Sequence, residues 1–224
     1  MGQLVAARAR SEGHEVALAL SSRDGARPPE DVVEQLRAVD VAIDFSAGPA
    51  VVRHVEACAR AGVPLVEGTT GWGDELERAR AIVLEHDGAL LYGANFSIGV
   101  NLFYRLVASA AELFGASADY APFIEEAHHA RKRDAPSGTA LRLRDLLAAR
   151  LEGDIPVAST RAGYIPGTHR VGFDSIADQI TLTHTARSRE GFVTGALTAA
   201  RWIVGRRGVY EFSEVLDEIL KAVG

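Results

Sequence analysis

A chain of 224 residues with 47% hydrophobic and 24% charged content is long enough for one large or two small packed domains, which excludes a disordered polypeptide. Its formal net charge of −6 argues against a general nucleic-acid binder, so no nucleic-acid partner is expected. Cys58 is the only cysteine, so no disulfide forms within the chain, and with no signal-peptide layout or bilayer-length apolar run the expectation is cytoplasmic residence and no membrane partner.

From residue 14, short apolar runs alternate with amphipathic stretches, the rhythm of a mostly parallel sheet wrapped by helices. Strands are predicted at 15–20, 41–45, 64–67 and 89–93, with helices near 30–38, 49–61 and 73–86. Cys58 shares an apolar helical face with Val51, Val52, Val55 and Ala59, a core position. The loops that follow the later strands are small and polar: Ser46-Ala47-Gly48-Pro49, Gly68-Thr69-Thr70-Gly71 and Ala94-Asn95-Phe96-Ser97. In such sheets ligands collect at the strands' carboxyl ends, where glycine lets a flat cofactor approach the backbone and hydroxyls bond ribose or carboxamide. Taken singly, each loop also reads as an ordinary turn.

After Asn101 an apolar helix runs to about Phe114 and leads into a strand at 121–127. Beyond a helix at 139–150, alternating segments at 157–162, 169–173 and 179–186 are expected to pair antiparallel as an open sheet. Helices at 190–204 and 213–222 close the chain. The change of character after Asn101 predicts a second domain, and the resemblance to a known family carried by the motifs below implies its bounds, 98–189, and a discontinuous first domain, 1–97 with 190–224.

Residues 126–140 read Glu-Ala-His-His-Ala-Arg-Lys-Arg-Asp-Ala-Pro-Ser-Gly-Thr-Ala. Pro136 and Ser137 precede Gly138, Thr139 and the run to Leu147, the pattern of a helix opening after a cap. The amides of Gly138, Thr139 and Ala140 and the hydroxyls of Ser137 and Thr139 are donors suited to a carboxylate or phosphate. His128 and His129 exchange protons near neutral pH, and Lys132 offsets negative charge. Together they suit an anionic substrate that is protonated during reaction; the bland alternative is a solvated basic loop. No third ligand lies at suitable spacing nearby, so no metal is expected.

This stretch resembles the signature of the bacterial dihydrodipicolinate reductases of lysine and diaminopimelate biosynthesis, also called 4-hydroxy-tetrahydrodipicolinate reductases. Asp44-Phe45-Ser46, Gly68-Thr69-Thr70-Gly71 and the run Asn95 to Asn101 follow the family's order and spacing. The resemblance implies an oxidoreductase using NADPH or NADH, an α/β fold with a Rossmann-like parallel sheet plus a second α+β domain with an open mixed sheet, and a homotetramer. It makes His128 the general acid and Lys132 the second catalytic cation. It gives His129, Ser137, Gly138, Thr139 and Thr70 to a cyclic dicarboxylate substrate. It gives Gly2, Ser46, Gly68, Thr70, Ala94, Phe96, Arg189 and Phe192 to the dinucleotide. Arg161, Gly163, Gly167 and His169 also repeat a family spacing, which makes Arg161 a structural or substrate-side cation; a surface arginine on a strand is the equal alternative.

The chain departs from that pattern at its start. The family's nucleotide fold opens with a central strand and a glycine-rich turn, whereas Met1-Gly2-Gln3 stands where the turn hands over to the first helix, Gln3–Arg10. The expectation is that the first strand is missing, that Met1 is an internal methionine, and that a strand and turn of about ten residues precede it. Ser21-Ser22-Arg23-Asp24 stands where an acid often grips the ribose of NAD, which predicts use of both cofactors with a lean to NADPH. Two other readings stay open: another NAD(P)-dependent amino- or imino-acid dehydrogenase, and an inactive truncated binding or assembly module.

Overall fold

The computed structural model describes residues 1–21, 29–117 and 119–221. In chain order the elements are α1 (Gly2–Ser11), α2 (Pro29–Leu36), β1 (Ala42–Asp44), α3 (Val51–Ala61), β2 (Leu65–Glu67), α4 (Leu76–Glu85), β3 (Ala89–Tyr92) and α5 (Ile98–Phe114). Then come β4 (Ala121–His128), α6 (Gly138–Ala148), β5 (Val157–Arg161), β6 (Thr168–Asp174), β7 (Gln179–Thr185), α7 (Glu190–Ile203), β8 (Gly208–Glu211) and α8 (Leu216–Lys221). They form two compact units, Met1–Ile98 with Glu190–Gly224, and Gly99–Arg189.

The first unit is built on a four-stranded parallel sheet in the order β1-β2-β3-β8. Leu65, Val66 and Glu67 are all buried, as expected when helices cover both faces of a parallel sheet. On one face Val51, Val55 and Cys58 of α3 recur at helical spacing and pack with Val83, Leu65 and Leu90. On the other, Ala196, Ala199 and Ile203 of α7 pack with Val66, Leu91, Phe96 and Phe212. Gly195 is where α7 passes over the chain, since a Cβ there would lie 1.7 Å from the Phe96 carbonyl oxygen. The register Asp44↔Glu67 and Glu67↔Tyr92 levels the carboxyl ends of β1, β2 and β3, so the loops carrying Ser46, Gly68 and Ala94 leave from one end of the sheet.

Two elements of this unit differ from the sequence reading. Residues 15–20 form no strand, because among the described residues none pairs with them and β1 is the edge of the sheet; Val16 and Leu18 are fixed instead by packing against core side chains. β8, which the sequence reading did not anticipate, pairs parallel with β3.

The second unit carries a mixed four-stranded sheet in the order β5-β4-β6-β7. β4 with β6 and β6 with β7 are antiparallel, and the sheet is mixed as expected, but β5 pairs with β4 and runs parallel to it instead of joining β6 antiparallel. The reason is the connection: α6 carries the chain from the end of β4 back to the start of β5, and a helical crossover delivers a parallel neighbour. Phe103, Val107 and Ala111 of α5 and Leu143 and Leu147 of α6 cover one face, with Ile124, Val171 and Phe173. On the opposite face Glu125, Ala127, Ala158, Thr160, Thr168, Arg170 and Thr183 line a shallow depression of about 390 Å³. Among the described residues no helix is long and apolar enough to cross a membrane.

Candidate active site

Alternate residues of a strand share a face, so Ile124, Glu126 and His128 of β4 point together toward the packed side. The Glu126 side chain is wholly buried and surrounded by donors. Arg161, at the end of the parallel neighbour β5, donates Nη2–H to Oε1 at 2.7 Å and Nη1–H to Oε2 at 3.0 Å. The Ser137 amide donates to Oε1 at 3.2 Å, and His128 Nδ1 lies 2.5 Å from Oε2. Burial alone would raise this carboxyl, but hydrogen bonds from Arg161, Ser159 and His128 outweigh it and hold it at about 2. Glu126 is therefore an anion that fixes the Nδ1–H tautomer of His128 and leaves Nε2 as the nitrogen that exchanges a proton.

The Nε2 side is kept clear by Gly167. That residue sits at φ +130, and a Cβ on it would approach Nε2 to 3.2 Å. Burial lowers the proton affinity of His128, with Glu126 acting in the opposite direction. His169, brought across by β6, meets the His128 ring edge-on at a centroid distance of 5.1 Å. Burial first, then the neighbouring His128, press it down to about 4, so it is neutral at physiological pH.

His169 Nε2 lies 3.1 Å from Ser137 Oγ, and the same oxygen accepts the Ala140 amide at 3.3 Å as the N-cap of α6. Ser137 is buried, and its hydroxyl oxygen serves both His169 and the Ala140 amide. Exposed Gly138 and half-buried Thr139 retain first-turn amides, which have no acceptor inside their own helix. Lys132, in the loop between β4 and α6, is paired with Asp134 at 2.8 Å, and its amide donates to the His129 carbonyl at 3.0 Å. His129 is half-buried, and its Nδ1 has no hydrogen-bond partner among the described residues.

Glu126, His128 and His169 also place one ligand-type atom each within 4.8 Å of one another, a third ligand that local spacing did not reveal. Both Glu126 oxygens are nevertheless engaged by the Arg161 guanidinium, and His169 Nε2 by Ser137, so the donor set is organised for hydrogen bonding around a fixed cation rather than for a divalent ion.

In the first unit, Met1, Phe45, Ser46, Ala47, Gly68, Thr69 and Thr70 line a cavity of about 220 Å³ at the strands' carboxyl ends. The Ser46 amide donates to Thr69 Oγ1 at 2.9 Å, joining the two loops. Gly68 lies against the Phe45 ring, where a Cβ would come within 2.1 Å of ring carbon. Gly2 is the exposed first residue of α1, whose N-terminus has no side-chain cap. Ala94 and Arg189 are exposed and Phe192 is half-buried in the first turn of α7. Phe96 is 1% exposed, its ring meeting Phe45 edge-on and Phe212 at a tilt, so the part of it open to a ligand is its backbone. Ser22, Arg23 and Asp24, on which the lean to NADPH rests, lie outside the described residues.

The sequence matches the family description "Dihydrodipicolinate reductase, N-terminus" over residues 1–96 and "Dihydrodipicolinate reductase, C-terminus" over residues 99–216. The chain belongs to the dihydrodipicolinate reductase family. Relatives named 4-hydroxy-tetrahydrodipicolinate reductase include one from Christiangramia forsetii, 39% identical over 82% of this chain and 82% of its own. Another, from Archaeoglobus fulgidus, is 34% identical over 97% of this chain and 96% of its own. A dipicolinate-bound dihydrodipicolinate reductase from a Paenisporosarcina species shares the fold, with a TM-score of 0.70 at 23% identity over 83% of this chain and 77% of that one. An amine dehydrogenase from Mycobacterium smegmatis shares it more loosely, at TM-score 0.59 and 12% identity over 95% and 92% of the two chains.

The sequence reading gave no role to Glu126, although its i, i+2 spacing from His128 on a strand was a usable signal. Asp44, His54 and Glu67 were missed too. Their signal was an acid at the last position of each of two adjacent parallel strands.

Proposed function

We infer that this chain is a 4-hydroxy-tetrahydrodipicolinate reductase of lysine and diaminopimelate biosynthesis that uses NADH or NADPH. The observation that carries the site assignment is His128 at the end of β4, with Nδ1 on buried Glu126, in one loop with Lys132 and just ahead of the open first turn of α6. In this reading the substrate is a cyclic dicarboxylate. Lys132, His129, Ser137 and the amides of Gly138 and Thr139 offset its charge, and Thr70 belongs to the same assigned set. A bound dicarboxylate adds negative charge beside His128 and raises its proton affinity, which favours the imidazolium. Once the 4-hydroxyl has left as water, His128 gives its Nε2 proton to the ring where the incoming hydride leaves negative charge, while its Nδ1–H stays on Glu126.

The residues of the first unit fit a dinucleotide. Gly68 presents bare backbone beside the cavity, Ser46 and Thr70 bring hydroxyls to it, and the uncapped start of α1 at Gly2 offers amides to phosphate. Ala94, the Phe96 backbone, Arg189 and Phe192 complete the assigned set. When bound, the reduced nicotinamide supplies the hydride.

Oxidation of NADPH on addition of 4-hydroxy-tetrahydrodipicolinate tests the activity. No turnover with this compound, but turnover with open-chain imino or amino acids, would favour a related dehydrogenase; no dinucleotide binding at all would favour an assembly module. A homotetramer is also part of this reading. It is supported by the open face of the second sheet and by β7, an edge strand whose Ile180 is 43% exposed. Sedimentation velocity tests it, a monomer being the adverse result. Cytoplasmic residence, where reduced dinucleotides are regenerated, completes the reading and is tested by cell fractionation.

A further inference from the structure

Asp44 closes β1 and Glu67 closes β2, and the parallel register sets them side by side. Glu67 is fully buried, and the Asp44 side chain is 12% exposed. Glu67 Oε1 accepts the Thr69 amide at 2.7 Å. Thr69 in turn accepts the Ser46 amide through its hydroxyl and the Trp72 indole N–H through its carbonyl, so the turn that carries Gly68 and Thr70 hangs on this carboxyl. Asp44 Oδ2 receives the Ser46 hydroxyl at 3.0 Å and lies 2.6 Å from His54 Nδ1.

As a carboxylate, Glu67 would keep Oε2 buried with no donor, next to a second anion. As a neutral acid it has a proton to give to Asp44, its neighbour across the register, which supplies the partner that Oε2 lacks. The titratable groups facing it are Asp44 from β1, His54 and Cys58 from α3, and Tyr92, its register neighbour on β3. Their effects divide the pair. Burial first, then the Asp44 charge, push the Glu67 carboxyl up to about 8. Asp44 is lowered: burial acts upward on it but is outweighed by hydrogen bonds from His54, Ser46 and Glu67.

We propose that Glu67 is a positioning residue for the dinucleotide: as a neutral acid it donates to Asp44, accepts the Thr69 amide, and so holds the Gly68–Thr70 turn in the shape that receives the cofactor. This rests on the reductase reading, in which that turn lies against the cofactor. Because the folded-state proton affinity is raised, the neutral form persists through pH 7 and is lost as pH rises past about 8. At pH 9 about one molecule in eleven keeps the proton, so apparent NADPH affinity falls about tenfold if only that form is competent.

The experiment is a fluorescence titration of NADPH against the full chain and Glu67→Gln between pH 7 and 9. The glutamine amide donates to Asp44 and accepts from Thr69 at every pH, so the expected result is a Kd that rises about tenfold in the original protein and stays level in the variant. Infrared spectra of the original protein provide a second readout that does not depend on the variant folding: a protonated-carboxyl C=O band at pH 7 that disappears in step with the rise in Kd. A level Kd in the original protein, the same rise in both proteins, or no such band at pH 7 overturns the proposal while leaving the reductase reading in place. Absence of NADPH binding at every pH overturns both.

Discussion

Replacing Arg161 by Met probes the anion beneath the proposed acid. Arg161 supplies both guanidinium bonds to Glu126, and its side chain is 16% exposed against none for the glutamate. Glu126 sits at about 2 against an ordinary value of 4.5, and at about 1.4 kcal/mol per tenfold change in proton affinity its surroundings contribute about 3 kcal/mol of stability. Removing one partner of a buried pair independently suggests about 3–5 kcal/mol. The variant is therefore expected to be about 3 kcal/mol less stable at pH 7 by urea unfolding followed by circular dichroism. The sign follows from a depressed carboxyl: its contribution is complete above 4.5 and disappears as pH falls toward 2, so the gap between the two proteins closes across that window. A gap that stays constant from pH 7 to pH 3 would refute an ionised Glu126 held by Arg161.

His128→Gln is expected to lower kcat by about two to four powers of ten with little change in KM, measured by steady-state NADPH oxidation; an unchanged kcat would reassign the acid. Ser137→Ala removes the N-cap of α6 and the partner of His169 Nε2, and is expected to cost about 1 kcal/mol in urea unfolding, with no cost as the adverse result. Gly195→Ala drives a methyl group into the Phe96 carbonyl and is expected to cost at least about 1–3 kcal/mol. Gly73→Ala, which meets nothing within 4 Å, is its thermal-melting control, and equal melting of the two variants would contradict the packing described for α7.

What the sequence revealed was what is encoded locally. The helix opening at Ser137 and Gly138 is a matter of adjacent residues, and the cap forms there. The alternation of β4 and the helical spacing of Val51, Val55 and Cys58 likewise depend on near neighbours alone. Features set by distant partners escaped. β8 is a four-residue strand that owes its identity to β3, and residues 15–20 look like a strand yet have no described ladder partner. The direction of β5 was decided by the path of α6. In the candidate site, Arg161 and His169 reach Glu126 and Ser137 from 35 and 32 residues away, so one cation left ambiguous became the clamp on the acid's anion. The burial of the Phe96 ring was equally hidden, since the Phe45 and Phe212 rings that close around it come from distant parts of the chain.

The two-sided character of β4 divides the labour of its residues so that tolerance to substitution alternates along it. Ile124, Glu126 and His128 answer to packing and chemistry, whereas Glu125 and Ala127 line the uncovered side. Neighbouring codons in one strand are therefore free to drift under different pressures, one parity tuning how the chain meets its surroundings and the other preserving the reaction.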